Sequence, residues 1–178
     1  MDLDQQELTD NQVIEEFGRQ LLVPGISEEG QNNLLKKHVL LVGLGALGTI
    51  ASQYLVRAGI GSITLLDFDK VSLSNLHRQI NYNKKDINGY KSEVSKQVLE
   101  NINSVTKIIQ HPLSFEEFLK KNNFENLDFI FDCSDSYQTK INSSLFAKAK
   151  SIAYSSISIN SSEGIFFSQD HIKTDETL

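Results

Sequence analysis

The stretch HVLLVGLGALGTIASQYLVRAGIG, His38 to Gly61, decides how the rest of the chain is read. It opens with a short β-branched and apolar run closed by glycine. It continues with small and apolar residues at helical spacing and ends in glycine again. Strand, tight turn and helix therefore follow one another directly. The turn GLGALG puts Gly43, Gly45 and Gly48 in the G-x-G-x-x-G spacing. In that setting the first glycine permits the sharp turn, the second lets backbone approach a phosphate, and the third lets helix and strand pack closely. The amides at the helix start then face an anion. Without the flanking strand and helix, the hexapeptide would be only a glycine-rich turn.

Working outward, the same alternation continues. SITLLDFD reads as a second strand, GYKSEVSKQVLENIN as an amphipathic helix and VTKIIQH as a third strand. A short helical piece near Phe115 to Lys120 precedes LDFIFDCSD, a fourth strand, and a helix through SYQTKINSSLFAKAK. SIAYSSISI and EGIFFSQ read as further strands, the second turning back on the first as a hairpin. Continuous apolar strands separated by helices imply a sheet covered on both faces and largely parallel. The fold class expected is α/β, a Rossmann-like doubly wound sheet. An N-terminal helical segment, residues 1–37, precedes it as two helices broken at Pro24 and Gly25. The core then spans 38–170 and a polar tail 171–178, all within one domain of 178 residues.

Composition narrows the function. Apolar residues make up 39% and charged residues 22%, which fits a globular chain rather than a disordered or membrane one. Seventeen basic against 23 acidic side chains leave a net charge of −6, which argues against a broad electrostatic grip on nucleic acid or anionic lipid. Phosphate chemistry must then be local. Cys133 is the sole cysteine, so neither a disulfide framework nor a Cys-x-x-Cys zinc pair exists, and a reducing cytoplasm is expected. The start MDLDQQELTDNQ is acidic and polar where a signal peptide needs a basic start and an apolar run.

Asp67 stands 19 positions beyond Gly48 at the end of the second strand, where a carboxylate can accept hydrogen bonds from ribose hydroxyls. Asp69 follows two residues later. Both can also be read as ordinary loop-starting acids. At this point NAD and ATP are equally compatible. Asn75, Arg78 and Gln79 follow closely, however, and point to something more anionic than a sugar.

With DFDKVSLSNLHRQ added, the sequence resembles the ThiF/MoeB/HesA family, bacterial relatives of ubiquitin-activating enzymes, and its MoeB-type members in particular. The resemblance runs from GRQLL at Arg19 through GLGALG, SITLLDFDKVSLSNLHRQI and NGYKSE to FDCSD and EGIFF, nearly the whole chain. It implies binding of Mg-ATP and adenylation of the C-terminal glycine carboxylate of a ubiquitin-like sulfur carrier of MoaD or ThiS type, with release of pyrophosphate. Carried over residue by residue, Asp67 would hold the ribose, with Asp69, Gln79 and the three glycines completing the nucleotide site. Asn75, Arg78 and Lys91 would contact phosphates, and Asp135 would help hold magnesium. Arg19 matches an arginine that enters the partner subunit's site in a homodimer.

Physical reasoning supports that chemistry. An anionic carboxylate must approach the α-phosphorus of a nucleotide that is itself negatively charged, so cations must reduce the repulsion. Arg78 offers two-pronged geometry and Lys91 a point charge. Magnesium prefers oxygen ligands and retains waters, so Asp135 and phosphate oxygens would suffice. Each residue also has a plainer reading: Lys91 as a solvated surface lysine, Arg78 as a loop tether, Asn75 as a helix cap, and His77 as a loop residue. Cys133 reads as a small packed residue without reactivity.

The chain departs from the family pattern at Ser136, where many members have Asn, at Lys140, where Arg is frequent, and at Glu16, where a basic residue is common. Members also continue past the EGIFF-like strand into a crossover loop, paired zinc cysteines and further C-terminal structure, so zinc is not expected in this chain. Two alternatives stand beside the adenylyltransferase. One is a non-catalytic nucleotide-binding or dimerisation partner, and the other a tRNA-modifying relative that activates a carboxylate on modified adenosine. Simple NAD-dependent oxidoreduction ranks last.

Overall fold

His38–Val42 forms β1, the strand around which the molecule is organised. Five strands run parallel in the sheet: β1, its neighbours β2 (Ser62–Leu66) and β4 (Phe129–Asp132), and the outer strands β3 (Lys107–His111) and β5 (Ala153–Asn160). A sixth, β6 (Glu163–Gln169), pairs antiparallel with β5, as the hairpin expectation required. The spatial order is β3-β2-β1-β4-β5-β6. The chain steps one way from β1 to β2 and β3, then returns to the other side for β4, so the order reverses beside β1. Register brings the strand ends level, since Val42 lies opposite Leu66 on one side and Asp132 on the other. A crevice outside the carboxyl ends of the strands is the standard binding place in such sheets. The computed structural model describes residues 10–103, 105–121 and 126–170, with Asp10 and Asn11 described for backbone only. The polar tail 171–178 and the first nine residues of the N-terminal segment lie outside the described residues.

The β1 sequence has no polar face because both faces are buried. Side chains alternate across a strand, sending Val39 and Leu41 to one side and Leu40 and Val42 to the other. The first pair joins Ile63, Leu65 and Ile108 under α3 (Ala46–Arg57) and α4 (Lys91–Glu100). The second joins Leu66, Ile130 and Tyr154 under α5 (Phe115–Lys121) and α6 (Tyr137–Lys150). The expected coverage of both faces fails at β6, where Ile165 and Phe166 are about two thirds exposed. The apolar run there is the outer strand of a hairpin at the sheet's edge.

The N-terminal helices are α1 (Asp10–Leu21) and α2 (Ser27–Leu34), with the break at Pro24 and Gly25 as expected. They seat on the far end of α3. Gln20 and Gln31 both donate to the Ala58 carbonyl at 3.0 Å, and Phe17 fills the space over Gly59. The 12 residues of α3, at 1.5 Å each, put that end about 18 Å from the glycine turn. Helix α4 begins at Lys91, two residues later than the periodicity suggests, because Gly89 and Tyr90 are engaged elsewhere: Gly89 O accepts from Val71 N and Tyr90 bridges to Lys70.

Candidate nucleotide site at the strand ends

The three turn glycines have separate jobs. Gly43 has φ +88, and a Cβ there would come within 2.9 Å of the Ser134 backbone, so both conformation and space call for glycine. A Cβ on Gly48 would overlap the Gly43 carbonyl, so this glycine lets α3 seat against the strand end. Gly45, at the N-cap of α3, has ordinary φ, and its nearest neighbour would be Gln79 Nε2 at 4.0 Å. Folding demands the outer two glycines, whereas a Cβ on the middle one would meet nothing closer than ordinary van der Waals contact with Gln79.

Asp67 braces this turn. Its Oδ2 accepts from Leu44 N at 2.7 Å and its Oδ1 from Asp69 N at 2.8 Å. Burial pushes the carboxyl above the usual carboxylate range, opposed by the Leu44 amide, the Lys91 charge and the Asp69 amide. A carboxylate has about four acceptor sites, so two amides leave capacity for a further donor. Lys91, nearly buried at the start of α4, donates to Asp69 Oδ2 at 2.8 Å, while its own amide bonds the Asp69 carbonyl. It is thus no solvated surface lysine, and two of its three ammonium donors remain.

The segment after β2 is stitched to the same turn. Tyr82 Oη donates to the Leu44 carbonyl at 2.9 Å, with burial raising its phenol pKa, and buried Asn81 bonds Ser95 on α4 and Gln53 on α3. Gln79 is buried close to Gly45, and its Oε1 finds no donor. Asn75 caps a short 3₁₀ turn by accepting from Ser72 N at 3.0 Å, which leaves its amide donors free. Arg78 is exposed and tethered through one nitrogen to the Ser74 carbonyl at 2.8 Å and to His77. The cap and tether readings of these two residues are therefore realised, and both keep donors to spare.

On the other side of β1, Cys133 N donates to the Val42 carbonyl at 2.8 Å. The thiol is buried and pushed up to about 12, chiefly by desolvation and then by the Asp132 charge, which fits the packed reading. Asp135 is exposed and makes no hydrogen bond or ion pair with the described residues. Two residues that the sequence reading did not pick out as a site lie just behind it. Asp132, fully buried, and Lys140, near 3.5 Å from it, form an ion pair beneath the loop. The available signals were an acid at the end of β4 matching Asp67 at the end of β2, and the basic residue Lys140 at a position where Arg is frequent in the family.

The turn glycines, Asp67, Asp69, Gln79 and Lys91 therefore gather at the ends of β1 and β2, joined through Gly43 and Ser134 to the loop carrying Asp135. Arg19 is not gathered with them. It is exposed on the last turn of α1, at the far end of α3. No group of three or more His, Cys, Asp or Glu that could hold a metal is found among the described residues. A single exposed carboxylate that bonds nothing among the described residues fits magnesium, which takes one or two carboxylates and completes its shell with phosphate oxygens and water.

The family model described as the ThiF family matches residues 17–174. The chain is 40% identical over 126 residues to the sulfur carrier protein ThiS adenylyltransferase of Escherichia coli (strain K12), a match covering 70% of this chain and 49% of that protein. It is 34% identical over 167 residues to the molybdopterin-synthase adenylyltransferase of the same organism, covering 92% and 67%. The crystal structure of the E. coli tRNA N6-threonylcarbamoyladenosine dehydratase, TcdA, superposes with a TM-score of 0.73 over 84% of this chain and 62% of that one. At 23% identity that likeness bears on the fold alone. The chain spans 32%, 51% and 49% of the length of the first three curated relatives it matches.

Proposed function

The chain belongs to the ThiF family, and from that membership we propose that it is an ATP-dependent adenylyltransferase acting on the C-terminal carboxylate of a ubiquitin-like sulfur carrier. The observation that carries this reading is the pairing of a glycine turn, braced by Asp67, with a nearly buried Lys91 bonded to Asp69 and an unpaired, exposed Asp135 on the loop after β4, which approaches Gly43 at Ser134. A carboxylate oxygen of the carrier attacks the α-phosphorus; the bond to the bridging oxygen breaks, and pyrophosphate leaves with its electrons. The carboxylate is already ionised near neutral pH, so the site need not remove a proton.

Each residue then has a defined task. The α3 N-terminal amides and Gly45 receive phosphate, Asp67 uses its spare lone pairs on the ribose, and Gln79 Oε1 takes a hydrogen bond from the nucleotide. Asn75, Arg78 and Lys91 direct free donors at the polyphosphate, where charge builds as pyrophosphate departs. Asp135 would hold magnesium, which when bound neutralises phosphate charge. Arg19 lies away from its own site and is suited to reach a partner's, in a cytoplasmic homodimer. We read 1–178 as one adenylation domain.

Carrier-dependent exchange of labelled pyrophosphate into ATP, with mass-spectrometric detection of AMP on the carrier, tests the proposal. Tight ATP binding without an acyl-adenylate on any carrier ending in glycine would favour a nucleotide-binding module instead.

A further inference from the structure

We propose that Asp132 and Lys140 are positioning residues that hold the loop after β4 so that Asp135 faces the metal-nucleotide; this rests on the adenylation reading above. Asp132 is fully buried, and both its carboxylate oxygens are engaged by the protein. All its capacity is turned inward. Oδ1 accepts from Ser134 N at 2.9 Å and Ser134 Oγ at 2.6 Å, and Oδ2 accepts from Ser143 Oγ at 2.6 Å. Lys140, reaching back from the first turn of α6, lies 3.5 Å from Oδ1 and donates to the Ile157 carbonyl at 3.1 Å and the Asp132 carbonyl at 3.3 Å. The ammonium thereby ties the end of β4 to β5 while neutralising the buried charge.

The consequence appears residue by residue along the loop. Cys133 is fixed by the Val42 carbonyl, Ser134 by Asp132 and by close approach to Gly43, and Ser136 by accepting from Thr139 N at 3.2 Å. Among the polar side chains of residues 132–136, Asp135 alone bonds nothing described. A metal ligand is effective when its neighbours are locked and it alone is free, and partners behind a ligand tune metal affinity without touching the metal.

Titration calorimetry of the chain with ATP, with and without magnesium, tests the clamp. Asp132→Asn should reduce the affinity gained on adding magnesium about 10- to 100-fold while metal-free ATP affinity stays within about twofold. Ser143→Ala, which keeps the ion pair, should show the same selectivity to a smaller extent, and Lys140→Arg should behave as the parent. Equal loss with and without magnesium, or no loss in either variant, overturns the clamp. Asp135→Asn separates the two levels: if it leaves the magnesium-dependent gain intact, or if the parent chain shows no such gain, the metal-site reading fails and the clamp with it.

Discussion

At the end of β2, Asp67 is buried and accepts the amide of Asp69, two residues on; at the end of β4, Asp132 is buried and accepts the amide of Ser134 in the same way. Each loop then presents an outer acid, Asp69 or Asp135, and each is met by a lysine from the helix that follows. The difference lies in which acid the lysine takes. Lys91 pairs with the outer acid Asp69, whereas Lys140 pairs with the inner acid Asp132. One loop therefore offers a cation with its counter-ion, and the other offers a bare carboxylate. On the proposed reading, the placement of two lysines separates a phosphate-contacting strand end from a metal-contacting one.

The largest expected effect breaks the buried pair. Lys140→Met leaves a charge at a fully buried site and should lower the unfolding free energy in urea by roughly 3–5 kcal/mol. Lys91→Met should cost about 1 kcal/mol or less, because its partner Asp69 is half exposed to water. Equal costs would mean that the two loops are not built differently. Next come the glycines. Gly48→Ala forces a methyl into the Gly43 carbonyl and should cost about 1–3 kcal/mol. Gly45→Ala should leave thermal unfolding nearly unchanged while weakening ATP binding.

A smaller effect concerns the inner acid of the first loop. Burial raises the Asp67 pKa above its unfolded value, so the stability this group contributes is fully present below the unfolded pKa and is lost as pH rises through the folded one. Urea unfolding followed upward from about pH 4, the unfolded range for Asp, should show a decline in the parent chain that Asp67→Asn lacks. A parallel decline in both would place its origin in other groups.

The strand-helix alternation was legible because β1 and β2 are buried on both faces and leave unbroken apolar runs, while α3 and α4 carry a helical repeat. Gly43 and Gly48 announced the turn because no other residue fits there. Coverage was legible for the inner strands but not at β6, since an apolar edge strand and a buried strand have the same composition. On the site, Asp67 and Lys91 were found at the strand ends, but their partners were not legible: which acid a lysine meets depends on contacts 22 residues apart for Lys91 and 8 for Lys140. Asp132 escaped notice because its partners Ser134, Lys140 and Ser143 are unremarkable by type and converge only when α6 folds back over β4.

The measurement that bears most directly on the account is ATP affinity with and without magnesium in Asp135→Asn beside Asp69→Asn. Asp135→Asn should lose the gain that magnesium brings, and Asp69→Asn should keep it. The reverse, a gain kept without the Asp135 carboxylate and lost without that of Asp69, would contradict the division of labour between the two strand ends.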